Sequence, residues 1–239
     1  MLPASLQSID SLGDRLARVR ERMANACARA RRDPATVKLL AVTKVFGPES
    51  ILDAYALGLR DFGENYVQEM ERKAPAVSAL GEARFHLIGH LQSNKTKKAL
   101  QLFTSIDTID STKLAHKLAT ERLDMETPVV EAAPVEAMIE VRLSHEENKS
   151  GADPAGLSAI VSAIRASKHL KLTGLMAVPP WSEDAELSRP YFAQLRALAG
   201  EHAIPELSMG MSNDLEVAIE EGATWVRVGT ALFGRRKKA

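Results

Sequence analysis

Short runs of branched apolar residues alternate with longer stretches in which apolar positions recur every three or four residues, along nearly the whole chain. Continuous or period-two apolar runs predict strands, and the 3.6-residue period predicts helices. The strands fall at 37–43, 61–62, 85–88, 104–106, 137–141, 171–176, 206–208 and 225–228. Between them lie helices at 48–57, 66–74, 95–102, 111–125, 154–167, 183–201 and 214–221. Ser111 and the Asn213-Asp214 pair supply start signals, and Gly222 stands where a helix stops. One further helix, 5–31, precedes the first strand and ends before Asp33-Pro34. Its Leu12, Leu16, Val19 and Met23 form one apolar stripe to lay against the rest of the molecule.

Eight strands separated by helices fit a single α/β domain, a (β/α)8 TIM-type barrel, better than an open doubly wound sheet, which stands as the alternative. The expected organisation is one domain over 1–239, with 1–34 packing a helix on the barrel and 235–239 forming a basic tail. At 45% hydrophobic and 26% charged residues, the 239-residue chain has the composition of a protein with one large core. No stretch approaches the ~20 apolar residues of a membrane span, and the first residues lack a basic region followed by an apolar one. A cytoplasmic protein with no membrane partner is therefore expected.

Lys+Arg and Asp+Glu number 31 each, so no net field draws the chain to nucleic acid. The clusters Lys95-Thr96-Lys97-Lys98 and Arg235-Arg236-Lys237-Lys238 lack interleaved aromatics and read as a helix face and a solvated tail. Cys27 has no second cysteine to pair with and reads as a reduced packing or surface thiol.

In a barrel, chemistry gathers at the carboxyl ends of the strands. Lys44 follows the first strand, Gly63-Glu64-Asn65 the second, and Gly89-His90 the third. Residues 176–180 follow the sixth, Met209-Gly210-Met211-Ser212 the seventh, and Gly229-Thr230 the eighth. A lysine closing an apolar run is a candidate carbonyl-capturing amine, because desolvation favours its neutral, nucleophilic form. Glycine turns after the last two strands sit where barrels commonly hold a phosphate on backbone N–H groups. One ligand with both an aldehyde and a phosphate would satisfy both features. The six histidines show no metal-ligand spacing; His86 and His90 are expected near the mouth and the others at packing or surface positions. Neither a GxSxG elbow nor a GxxxxGK[ST] loop occurs.

The segments LLAVTK, FGENYVQE, HLIGHLQSNK, KSG, GLMAVPP and MGMSNDLEVAIEEGATWVRVGTALFG, in that order over about 37–234, resemble the pyridoxal phosphate homeostasis protein family. The resemblance implies a barrel of the alanine racemase N-terminal type that binds pyridoxal 5'-phosphate (PLP) as a Schiff base on Lys44. It implies further that Ser212, Gly229 and Thr230 bind the phosphate, that Arg227 faces the pyridine nitrogen, and that Asn65, His90 and Met176 line the pocket. No catalytic residue and no metal ligand is carried over. The chain departs from the family at Glu140-Val141-Arg142, where QVN is usual, and at Asn148, where a serine is usual; no role is carried to these positions.

An arginine at the ring nitrogen opposes its protonation and weakens the cofactor as an electron sink. Related racemases take a tyrosine from a second domain, for which no residues remain after Ala239. The implied function is intracellular PLP homeostasis, buffering or delivering the cofactor without robust catalysis, as a monomer whose partners include PLP-dependent apoenzymes. A weak amino-acid racemase, and a cofactor-free aldolase using Lys44 on the substrate carbonyl, are the alternatives.

Overall fold

In a computed structural model, which describes residues 10–125, 133–144 and 150–234, the expected strands form one closed parallel barrel in chain order. They are β1 (Lys38–Val42), β2 (Asp61–Glu64), β3 (Arg84–Leu87), β4 (Ser105–Ile109), β5 (Val135–Glu140), β6 (Leu170–Met176), β7 (Glu206–Ser208) and β8 (Trp225–Val228). Closure comes from β8 pairing back onto β1 in the register Lys38↔Trp225 to Ala41↔Val228, which rules out the open sheet.

The helices are α1 (Leu12–Arg29), α2 (Pro48–Ala56), α3 (Val67–Val77), α4 (Thr96–Leu102), α5 (Thr112–Leu123), α6 (Leu157–Arg165), α7 (Arg189–Glu201), α8 (Leu215–Glu220) and α9 (Thr230–Phe233). Parallel neighbours need such crossovers. The helix expected from residue 5 starts at Leu12, because Ser11 closes a capping box there: its hydroxyl accepts the Asp14 N–H at 3.1 Å while the Asp14 carboxylate accepts the Ser11 N–H at 3.0 Å. Residues 5–9 of that expectation, and the 235–239 tail, lie outside the described residues. The 183–201 helix divides into a 3-10 turn at Ala185–Ser188 and α7, whose first turn holds Pro190, a residue suited to a helix start.

Outward-facing strand residues such as Ala41, Phe62, Ile139, Val226 and Val228 join the stripe of α1, including buried Cys27, in the large core between barrel and helices. Inside the barrel, Leu40, Met138 and Trp225 form a separate small cluster with Ile88. The end of the barrel opposite the mouth is polar. His86, expected at the mouth, is instead buried there, 1% exposed, because its position on β3 points it inward toward the starts of β2 and β8. Its ring nitrogens stand 3.2 Å from Asp107 and 3.3 Å from Asp61, and its ring meets that of Trp225 at 5.2 Å with a tilt of 57°.

Burial disfavours the His86 imidazolium, but the two carboxylates outweigh burial and hold its pKa up to about 9. A pKa raised on folding contributes stability that is complete below the unfolded value near 6.5 and fades as pH rises through 9. Thermal stability is therefore expected to fall between pH 6.5 and 9 by roughly 2–3 kcal/mol from this group. Calorimetry across that window checks it; His86→Gln should flatten the slope, and an equal slope in both proteins would refute it.

Candidate functional site

The carboxyl ends of the strands open on a cavity of about 410 Å3 whose lining includes Lys44, Asn65, Ser212, Arg227, Gly229 and Thr230. Half-buried Lys44 leaves the barrel two residues after β1. Asn65 leaves it directly after β2, and its backbone is crowded by Gly89 so closely that a Cβ on that glycine would lie 2.3 Å from the Asn65 carbonyl oxygen.

Two loops converge beside β1, after β7 and β8. The β7–α8 loop turns at Gly210, whose φ of +89° and whose position 2.4 Å from Ala218 Cβ, measured from a hypothetical Cβ, both demand glycine. Beyond it, the buried Asp214 carboxylate accepts the Met211 N–H at 2.7 Å and the Ser188 hydroxyl at 2.9 Å. Arg22 of α1 donates to the Ser212 carbonyl at 2.9 Å and is paired with Glu216. The second loop is the Gly229 turn into α9, and the Ser212 hydroxyl joins the two by accepting the Ala231 N–H at 3.2 Å. The first N–H groups of a helix have no intrahelical acceptor, which makes such a junction suited to an anion.

Arg227 on β8 is 4% exposed and held from several sides. Its guanidinium donates to the Ser208 carbonyl, to the Ser208 hydroxyl at 2.9 Å and to the Ala177 carbonyl at 2.8 Å. Burial pulls its pKa below the usual arginine value, against the charges of Glu140, Asp107 and Asp214. Glu140 is affected reciprocally: burial pushes its carboxyl up to about 7, opposed by Arg227 and reinforced by Asp110.

The alanine racemase N-terminal domain family matches residues 15–237. Over 230 residues the chain is 40% identical to the pyridoxal phosphate homeostasis protein of Pseudomonas aeruginosa, covering 95% of this chain and 97% of that one. It is 41% identical to the protein of the same name from Aquifex aeolicus, covering 94% and 98%. The chain belongs to the pyridoxal phosphate homeostasis protein family. Among solved structures, PipY of Synechococcus elongatus with PLP bound is similar with a TM-score of 0.81 and 35% identity, covering 94% of this chain and all of that one. An alanine racemase from Corynebacterium glutamicum shares the fold at 18% identity and a TM-score of 0.65.

Six of the residues singled out from the sequence thus line one cavity, and two do not. His90 lines a neighbouring cavity of about 250 Å3 with Glu140 and Arg142, which shares Ile88 and Val178 with the first. Its Nδ1 lies 3.6 Å from Asp110. Met176 is fully buried as the last residue of β6, paired in register with Ser208 and Glu140, and does not line the cavity. The departures from the family at 140–142 border the neighbouring cavity, while Asn148 and Lys149 lie outside the described residues.

Sequence reading passed over Phe46, Trp181 and Asp214 as lining residues. Trp181, 76% exposed directly after Pro179-Pro180, carried a signal in being a large aromatic in a loop at a strand's carboxyl end. Phe46 carried none; its ring meets Phe233 of α9 at 5.3 Å, a contact between chain ends. Among the described residues no group of three or more His, Cys, Asp or Glu is arranged to hold a metal ion, and no helix is long and apolar enough to cross a membrane.

Proposed function

We propose that the protein binds PLP covalently through Lys44 and serves PLP homeostasis, keeping the cofactor sequestered and available for PLP-dependent apoenzymes. The family membership supports this, and so does the PLP held by PipY. The observation that carries the reading is a single cavity lined at once by an amine, by two glycine-and-hydroxyl loops and by a pinned guanidinium. That donor set fits an aldehyde, a phosphate and a ring nitrogen on one small molecule.

When bound, PLP supplies an aldehyde that condenses with a primary amine and releases water. Lys44 would provide the amine. Ser212, Gly229 and Thr230 would hold the phosphate through hydroxyl and N–H donors, and Asn65 would close the wall beside Lys44. Arg227 would meet the ring nitrogen, where a cation opposes protonation and so discourages carbanion chemistry. His90 and Met176 are not part of the proposed contact set. The proposal includes a monomer. It also includes cytoplasmic residence, supported by a free, buried Cys27 that suits a reducing compartment.

Titration of the purified protein with PLP tests the reading. A visible absorption band saturating at one equivalent is expected, and borohydride should fix the cofactor's mass on the peptide containing Lys44. A spectrum equal to the sum of its parts, with that peptide unmodified, would overturn it. Steady inversion of an amino acid at ordinary enzyme rates, roughly 1 per second or more, would replace the carrier with an enzyme.

A further inference from the structure

Lys44 stands between two peptide units that are gripped by one buried ionic cluster outside the cavity lining. Lys73 of α3, its side chain 6% exposed, directs its ammonium at the Thr43 carbonyl (3.0 Å), Glu64 Oε1 (2.8 Å) and Glu69 Oε1 (2.7 Å). The Thr43 hydroxyl donates to the same Glu64 oxygen at 2.6 Å, and Glu69 Oε1 accepts the Val45 N–H. The carbonyl preceding Lys44 and the N–H following it are therefore both held by residues of α3, while Glu64 of β2 ties the Thr43 hydroxyl and the Lys73 ammonium together.

The held conformation is one the local sequence opposes. Val45 has a φ of +63°, in the left-handed region that a β-branched residue avoids, at a cost of about 1–3 kcal/mol. Val45 is also 53% exposed, so burial of its side chain does not offset that cost. The Glu69 carboxylate on its N–H does oppose it. A buried cluster of one ammonium and two carboxylates is itself expensive to desolvate, and apolar packing would fill the same space more cheaply.

We propose that Glu64, Glu69 and Lys73 are positioning residues for Lys44, fixing the peptide units on both sides of it so that its amine is aimed into the cavity. The inference rests on the proposed capture of PLP by that amine. In the capture, the neutral Lys44 amine forms a C=N double bond to the aldehyde carbon, and its two protons leave with the carbonyl oxygen as water. The cluster takes no part in that bond change; it sets how often the amine stands at reacting distance.

The test uses the full chain and two ligands. PLP reports covalent capture, followed as the rate of growth of the visible band. Pyridoxine 5'-phosphate, with an alcohol in place of the aldehyde, reports the pocket alone through its equilibrium affinity. Glu69→Ala removes the acceptor of the Val45 N–H while leaving the Glu64–Lys73 pair, and it should slow capture about tenfold or more. Affinity for pyridoxine 5'-phosphate should stay within about twofold, and Glu69→Gln, which keeps an acceptor oxygen, should restore capture to within about threefold of the parent. Capture at the parent rate in Glu69→Ala, an equal loss for both ligands, or no recovery in Glu69→Gln would each overturn the proposal. Failure of the unsubstituted protein to capture PLP at all would instead strike the cofactor reading, and it would appear before any variant is made.

Discussion

Lys44→Ala is expected to abolish the visible band and the borohydride-stable adduct, because among the described residues no other lysine lines the cavity. A ligand that binds the folded state at 100 times its dissociation constant stabilises it by about 2.7 kcal/mol. For a chain of this size that corresponds to a rise in melting temperature of roughly 5–10 °C in the parent protein. The variant keeps the proposed phosphate and ring-nitrogen contacts but forms no covalent bond, so most of that shift should vanish at the same PLP concentration. Differential scanning fluorimetry with and without PLP measures both proteins side by side. A full shift in Lys44→Ala would show that the phosphate grip alone accounts for binding.

The second large effect concerns stability without any ligand. Lys73→Met is expected to cost roughly 3–5 kcal/mol, the usual consequence of removing one member of a buried ion pair, and to lower the melting temperature by roughly 6–20 °C. Glu64 is the reason. Its side chain is fully buried, its Oε2 has no hydrogen-bond partner among the described residues, and burial already pushes its carboxyl above the usual range against the bonds from Lys73 and Thr43. Without Lys73 that carboxylate is stranded beside Glu69. The penalty should shrink as pH falls and Glu64 takes up a proton, and adding Glu64→Gln should recover part of it. Denaturant unfolding at two pH values measures this, and a loss below about 1 kcal/mol would contradict the burial argument.

These clusters mark the boundary of what was legible in the sequence. β7 and β8 coincide with their expected spans, since short apolar runs bounded by turn residues leave little freedom. β2 runs two residues further than expected. Gly63 and Glu64 look like a turn, yet Gly63 lies inside the barrel where a Cβ would press within 3.0 Å of Ile88 and 3.2 Å of Leu40, and Glu64 pairs in register with Leu87. For the same reason Glu64, read as a mouth residue, points outward to Lys73. A residue at a strand end betrays itself by being polar after an apolar run, so Lys44 stood out and Ser212 with its glycine turn, whereas Arg227, inside β8, entered only through the family resemblance. Lys73 and Glu69 belong to an amphipathic helix where charge is ordinary, and their burial depends on β2 behind them. His86 misled in the opposite sense, since its neighbours in sequence are at the mouth while its partners, Asp61 and Trp225, lie at the starts of other strands.

The pairing of β1 with β8 joins the first and last strands along one seam, and a molecule reaching from Lys44 to Thr230 would span that seam. Such a molecule would act as a rivet across the cylinder's last joint, tying its occupancy to completed closure of the barrel.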